Sequence, residues 1–158
     1  MKPLLRAAAI GMMIMGAKVF VDTNVLLRAM LTNMELHTEA DRLLKRMLSE
    51  NAELWISGQV IREFIVQATH PKTLKIPLTV DQIVREVHSI EQLFQVADET
   101  IAVRVKLLEL LQVFPTRGKQ IHDANIVATM LVHEIDKLLT FNTEDFNRYA
   151  SKIELISP

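Results

Sequence analysis

Three apolar residues, Val19-Phe20-Val21, run directly into an acid, a hydroxyl and an amide at Asp22-Thr23-Asn24. A strand buried on both faces of a parallel sheet reads this way, and in open α/β folds ligands bind beyond the carboxyl ends of the strands. Asp22 therefore falls where chemistry is usually done. Further acids follow at comparable places: Glu63 within Val60-Ile61-Arg62-Glu63-Phe64-Ile65, Asp123 within Ile121-His122-Asp123-Ala124, and Asp145 shortly after Leu138-Leu139-Thr140-Phe141-Asn142. Four acids converging on one sheet edge would make a divalent-metal site.

The remaining pattern alternates the two periodicities. Ala40, Leu43, Leu44, Met47 and Leu48 recur at helical spacing over residues 39–49,. Further helices are expected over residues 59–69, 79–91, 100–113, 123–134 and 144–149, and short strands over 54–57, 94–97, 138–141 and 153–156. Thr79 and Gln82 have the spacing of a capping box, Asp98 is expected to cap the helix that follows it, and Pro115 ends that helix,. Strands joined by helical crossovers imply an α/β fold with a parallel sheet covered on both faces.

At 158 residues, with 49% hydrophobic and 23% charged side chains, the chain suits one globular domain,. A net charge of -1 announces no strongly basic nucleic-acid binder, so such a function would have to come from local patches and a metal site,. The absence of cysteine removes thiolate zinc sites, disulfides and thiol catalysis,. Residues 1–17 combine Lys2 and Arg6 with an apolar stretch too short to span a bilayer,. Because a core strand begins at about Lys18, leaving no spacer after a cleavage, these residues are read as an extension or a start assigned too far upstream, and the protein as cytoplasmic.

Each acid has an ordinary reading beside the metal reading. Asp22 could cap a helix or hold a turn with Thr23 and Asn24. Glu63 borders an apolar stripe, where an unpaired carboxylate is costly, and Arg62 or Arg85 could neutralise it structurally. Asp123 could cap its helix. Around Asp145, the oxygens of Thr140, Asn142, Thr143 and Glu144 could serve in its stead. His122 reads as a hydrogen-bonded structural residue, and the other histidines lack metal-ligand spacing. Two like charges about 4 Å apart repel by roughly 4 kcal/mol at an effective dielectric near 20, so gathered carboxylates call for a cation. Mg²⁺ and Mn²⁺ prefer such oxygen ligands and complete their shells with water and phosphate.

The segments Val19-Phe20-Val21-Asp22-Thr23-Asn24-Val25-Leu26, Ile56-Ser57-Gly58-Gln59-Val60-Ile61-Arg62-Glu63-Phe64, Ile121-His122-Asp123-Ala124-Asn125-Ile126-Val127-Ala128 and Leu138-Leu139-Thr140-Phe141-Asn142-Thr143-Glu144-Asp145-Phe146 together resemble the four acidic segments of the PIN domain family. That family comprises metal-dependent ribonucleases and includes the VapC-like toxins of toxin-antitoxin pairs. The resemblance runs from residue 18 to residue 158 in the expected order. It implies a three-layer α/β/α sandwich with a central, mainly parallel sheet, and an acidic pocket holding Mg²⁺ or Mn²⁺. It also implies an RNA substrate, cut at its phosphodiester bonds, and an antitoxin protein partner. A homodimer stays open, and no membrane partner is implied.

Carried over by position, Asp22, Glu63 and Asp123 match the family's acidic triad. Asn142 stands where many members have an acid, so Asp145 is the candidate for the fourth charge, as metal ligand and catalytic residue with the other three. The alternatives are an RNA-processing PIN nuclease without an antitoxin and a non-catalytic PIN binding module. A haloacid-dehalogenase-like phosphatase also opens with a strand and an Asp, but it normally carries a second Asp two residues on, where this chain has Asn24. RNA is expected to approach along Arg62, Lys72, Lys75, Arg117 and Lys119. The apolar faces around Leu43, Leu44, Ile61 and Ile65 are expected to be shared between core and antitoxin.

Overall fold

The computed structural model describes residues 16–157. Its sheet is built outward from β1 (Lys18–Val21), which pairs in parallel with β2 (Glu53–Ser57) on one side and β4 (Lys137–Leu139) on the other. β3 (Gln95–Ala97) and β5 (Glu154–Ile156) form the two edges, giving the order β3-β2-β1-β4-β5 with every pairing parallel. The apolar run is central because it has no solvent face to offer: Val19, Phe20 and Val21 are all buried.

Helices cover the sheet in a three-layer α/β/α sandwich. In chain order they are α1 (Thr23–Met30), α2 (His37–Ser49), α3 (Gly58–Ala68), α4 (Val80–Leu93), α5 (Ile101–Val113), α6 (Gln120–Val132) and α7 (Thr143–Phe146), with a 3₁₀ turn at Asn147–Tyr149. α1 packs on α2 and α3, and α5 packs on α6. The capping box at Thr79 and Gln82 is formed in full. No helix among the described residues is long and apolar enough to cross a membrane.

Several sequence expectations are corrected. The expected helices do not include α1: it has eight residues, short of the window over which a helical pattern is read, and its buried Val25, Leu26 and Leu27 are contiguous,. Asp98 does not cap α5; Thr100 holds that position without a side-chain cap bond. Asp123 is not a cap either, because α6 begins three residues earlier, with Lys119 as its N-cap. The strand expected over 138–141 ends at Leu139, although the Thr140 N–H still donates to the Ile156 carbonyl at 3.0 Å; its hydroxyl turns inward to Asp22.

The faces expected to be shared between core and antitoxin are partly occupied by the core. Leu44 is buried, and Leu43, Ile61 and Ile65 are partly buried against the core. The most open apolar side chains lie elsewhere, at Ile76, Val80 and Ile101. The reading of residues 1–17 as an extension lies outside the described residues up to position 15; the Ala17 carbonyl already accepts from the Glu53 N–H at 2.9 Å, alongside β2.

Candidate active site

Asp22 is the residue at which β1 becomes α1. Its own N–H donates to the Leu139 carbonyl at 3.0 Å, which continues the β1–β4 ladder one step past the strand and sets Thr140 beside it. The carboxylate is 7% exposed, and both oxygens are held by neutral donors. Oδ1 accepts from the Thr23 N–H at 2.7 Å, the N-cap bond of α1. Oδ2 accepts from Asn24 Nδ2 at 2.6 Å and from the Thr140 hydroxyl at 2.7 Å. The cap reading of Asp22 is thus correct and occupies one oxygen edge, leaving lone pairs on a carboxylate with no cation bonded to it among the described residues.

Glu63 stands in the second turn of α3, which starts where β2 ends. The Thr23 hydroxyl donates to its Oε2 at 2.6 Å and Gln59 Nε2 to its Oε1 at 2.8 Å. Structural neutralisation by Arg62 fails, because that guanidinium pairs with Glu99 at 3.1 Å. Among the described residues Arg85 makes no ion pair with Glu63 either. Asp123 lies in the first turn of α6 and Asp145 in α7. All four acids line one cavity of about 640 Å³, together with Thr23, Asn24, Arg28, Gln59, His122 and Asn142.

The charges act on one another. Burial pushes Asp22 up to about 6, with repulsion from Glu63 and Asp145 adding to it against the lowering effect of the Thr140 and Thr23 hydrogen bonds. Asp123 is likewise raised to about 6, first by burial and then by Asp145, Asp22 and Glu63 in turn. Gathered carboxylates without a counter-ion behave in this way. Asp145 itself is exposed at the mouth of the cavity, as is Asn142 beside it, so both candidates for the fourth position face the same space.

The residue missed in the sequence is Gln59, 5% exposed at the start of α3. Its amide ties the two halves of the site together: Nε2 donates to Glu63 and, at 3.0 Å, to the His122 carbonyl, while Oε1 accepts from Asn125 Nδ2 at 2.8 Å. Its spacing of four residues before Glu63 was a signal available in the sequence. Arg28 also went unremarked, although it is a lone base in an otherwise apolar turn. His122 proves exposed at the cavity, contrary to the structural role expected for it.

The donor set is all oxygen, suited to a hard divalent cation. Among the described residues, however, no group of three or more His, Cys, Asp or Glu is arranged so that it could hold a metal ion. Mg²⁺ is commonly held by one or two carboxylates with water and substrate phosphate completing its shell, so its chemistry does not require a closed protein cage. The site therefore fits such an ion in donor type and charge.

The sequence matches the PIN domain family over residues 19–152. The chain belongs to that family. Several solved structures share the PIN fold with it. VapC20 from Mycobacterium tuberculosis, described as a Sarcin-Ricin loop cleaving toxin, aligns with a TM-score of 0.63 at 18% identity over 89% of this chain and 99% of that one. A chain of VapBC-1 from nontypeable Haemophilus influenzae gives 0.65 at 16% identity over 89% and 97%. One from VapBC2 of Rickettsia felis, bound to a DNA fragment from their promoter, gives 0.62 at 17% over 89% and 98%. At such identities the likeness is one of fold. No curated protein matches the chain. In this PIN domain the matched span includes all four acids of the cavity.

Proposed function

We propose that the protein is a metal-dependent endoribonuclease that hydrolyses RNA phosphodiester bonds, and that it serves as the toxin of a toxin-antitoxin pair. The observation that carries the nuclease reading is the cavity in which Asp22, Glu63, Asp123 and Asp145, from four separate elements, repel one another without a bonded cation. A protein that only bound RNA would gain nothing from that repulsion. Of Asp22, Glu63, Asp123 and Asp145, one or two at a time would hold Mg²⁺ or Mn²⁺ directly, with water and substrate phosphate completing the shell and the remaining charges close by. When bound, such an ion acidifies water, orients the phosphodiester and stabilises the charge that develops on it.

The chain's own contribution is orientation. Thr140, Asn24 and the Thr23 amide fix Asp22 from both sides, and Thr23 and Gln59 fix Glu63. Neutral donors hold these carboxylates in place without cancelling their charge, so their negative potential remains available to a cation. An arginine-bearing antitoxin segment would silence the site by pairing with the same acids. The toxin role is supported by structures of like fold that are described as a Sarcin-Ricin loop cleaving toxin and as a toxin-antitoxin complex from Klebsiella pneumoniae.

The test is cleavage of total RNA with and without Mg²⁺ or Mn²⁺, run beside Asp22→Asn. Metal-dependent cutting by the wild type and none by the variant is expected. Equal cutting in EDTA would defeat the metal reading. Expression in cells separates the biological role from the chemistry: growth arrest by the wild type, absent in Asp22→Asn and reversed by a protein encoded alongside it, is expected of a toxin. Cleavage in vitro without arrest would leave an RNA-processing nuclease.

A further inference from the structure

Arg28 lies in the last turn of α1 and lines the same cavity as the four acids, yet it forms no ion pair with any of them. Its Nη1 donates to the Asn24 carbonyl at 2.8 Å, and its guanidinium lies over the Phe141 ring at 5.0 Å. Nε is buried with no hydrogen-bond partner. Five N–H donors are thus held in a fixed orientation with one of them engaged, beside an acidic site and without an acid of its own.

A structural arginine would normally be paired or fully hydrogen-bonded, because a buried unsatisfied donor is costly. The other arginine of the cavity, Arg62, behaves in that way through Glu99. Stacking on an aromatic ring together with an unspent planar fork is the arrangement by which arginine receives a phosphate. The cavity's anions would be balanced by a cation; Arg28, whose Nη2 has no hydrogen-bond partner among the described residues and whose charge has no carboxylate of its own, would be balanced by an anion entering with it.

We infer that Arg28 is a substrate-binding residue that receives a phosphate of the RNA backbone at the acidic cavity, held ready by Asn24 and Phe141. The inference rests on the nuclease reading above and deepens it, by assigning the cavity a cationic side as well as an acidic one. Asn24 then has two duties, since its side chain orients Asp22 while its carbonyl orients Arg28.

The experiment uses the full chain and a fluorescein-labelled single-stranded RNA of mixed sequence. Arg28→Met keeps the length of the stem and removes the donors; Arg28→Lys restores the charge without the fork. Binding is measured against salt in the Asp22→Asn background, and KM and kcat in the active protein with Mg²⁺. Arg28→Met should weaken RNA binding by about tenfold and lower the salt slope by about one phosphate contact, with Arg28→Lys recovering part of both. The loss should appear in KM, with Mg²⁺ affinity measured by calorimetry unchanged.

An unchanged salt slope and KM in Arg28→Met would overturn the inference. So would a loss accompanied by an equal fall in Mg²⁺ affinity or in Tm, which marks a structural clip between α1 and Phe141. Those results leave a wild type that still cuts RNA. A wild type that neither binds nor cuts RNA would instead remove the nuclease reading, and this inference with it.

Discussion

At the scale of single residues, the four acids differ in how they are held, and this yields distinct pH and mutational behaviour. Asp22 titrates near 3.8 when unfolded and at about 6 in the fold. Between those values the folded state holds the extra proton, so the stability of the metal-free protein falls as pH rises through that window. For Asp22 the penalty, complete above about pH 6, is on the order of 3 kcal/mol. Thermal melts of the EDTA-treated protein should therefore show a higher Tm at about pH 5 than at about pH 7.5. Asp22→Asn should flatten that rise and abolish cleavage. Its gain in stability near neutrality will be smaller than the full penalty: the Thr140 hydroxyl already accepts from Asn24 Nδ2 and from the Asn142 N–H and so cannot reverse to face an amide, and Asn24 cannot either, because its Oδ1 is held by the Phe141 N–H at 3.0 Å,. A large drop in the Tm of this variant would mean that the cap bond to Thr23 outweighs the repulsion.

Asp145 and Asn142 are separated by charge at the same scale. Both line the cavity, but only Asp145 raises the titration of Asp22 and Asp123. Asp145→Asn is expected to lower Mg²⁺ affinity severalfold and Asn142→Ala to lower it less, as measured by calorimetric titration. The reverse order would assign the fourth position to the amide.

Between elements, the decisive connection is the Gln59 amide, which joins α3 to α6 and thereby relates Glu63 to Asp123. Gln59→Leu conserves apolar volume but leaves Asn125 Nδ2, Glu63 Oε1 and the His122 carbonyl without this partner. A loss of about 1–3 kcal/mol in stability is expected from such unsatisfied groups. Mg²⁺ affinity should fall too, although Gln59 need not touch the ion. Chemical denaturation and metal titration of the same variant check both; unchanged metal affinity would show that α3 and α6 are held in register by their packing alone.

For the whole molecule, the proposed metal binding would be coupled to folding through the same repulsion. An ion bound in the acidic cavity would remove a penalty that exists only where the acids are ionised. Mg²⁺ should therefore raise Tm more at about pH 7.5 than at about pH 5, where protons already relieve part of the strain. Melts at both pH values, with Mg²⁺ and with EDTA, measure this. An equal shift at the two would place the ion away from Asp22 and Asp123. The basic side chains Lys72, Lys75, Arg117 and Lys119 are all exposed, and Thr73 and His122, close to them in sequence, line the cavity. Replacing those four with Ala should lower the salt dependence of RNA binding without changing Tm.

Much of this architecture was legible in the chain because its signals are local. The run Val19-Phe20-Val21 could only be a central strand, the capping box at Thr79 started a helix, and the acids followed apolar segments in a recognisable order. A short element such as α1 escaped because its eight residues are fewer than the window over which a helical pattern is read,. What the sequence by itself determined was the identity of the elements and of the acids, since both depend on residue type over a few neighbouring positions. Only the tertiary structure decided which donors hold each carboxylate, that Arg62 belongs to Glu99 and not to Glu63, and that Gln59 and Arg28 belong to the site. Those facts depend on contacts between segments as far apart as Asp22 and Thr140, and hydrogen bonds are chosen by distance in space, which chain order does not encode residue by residue.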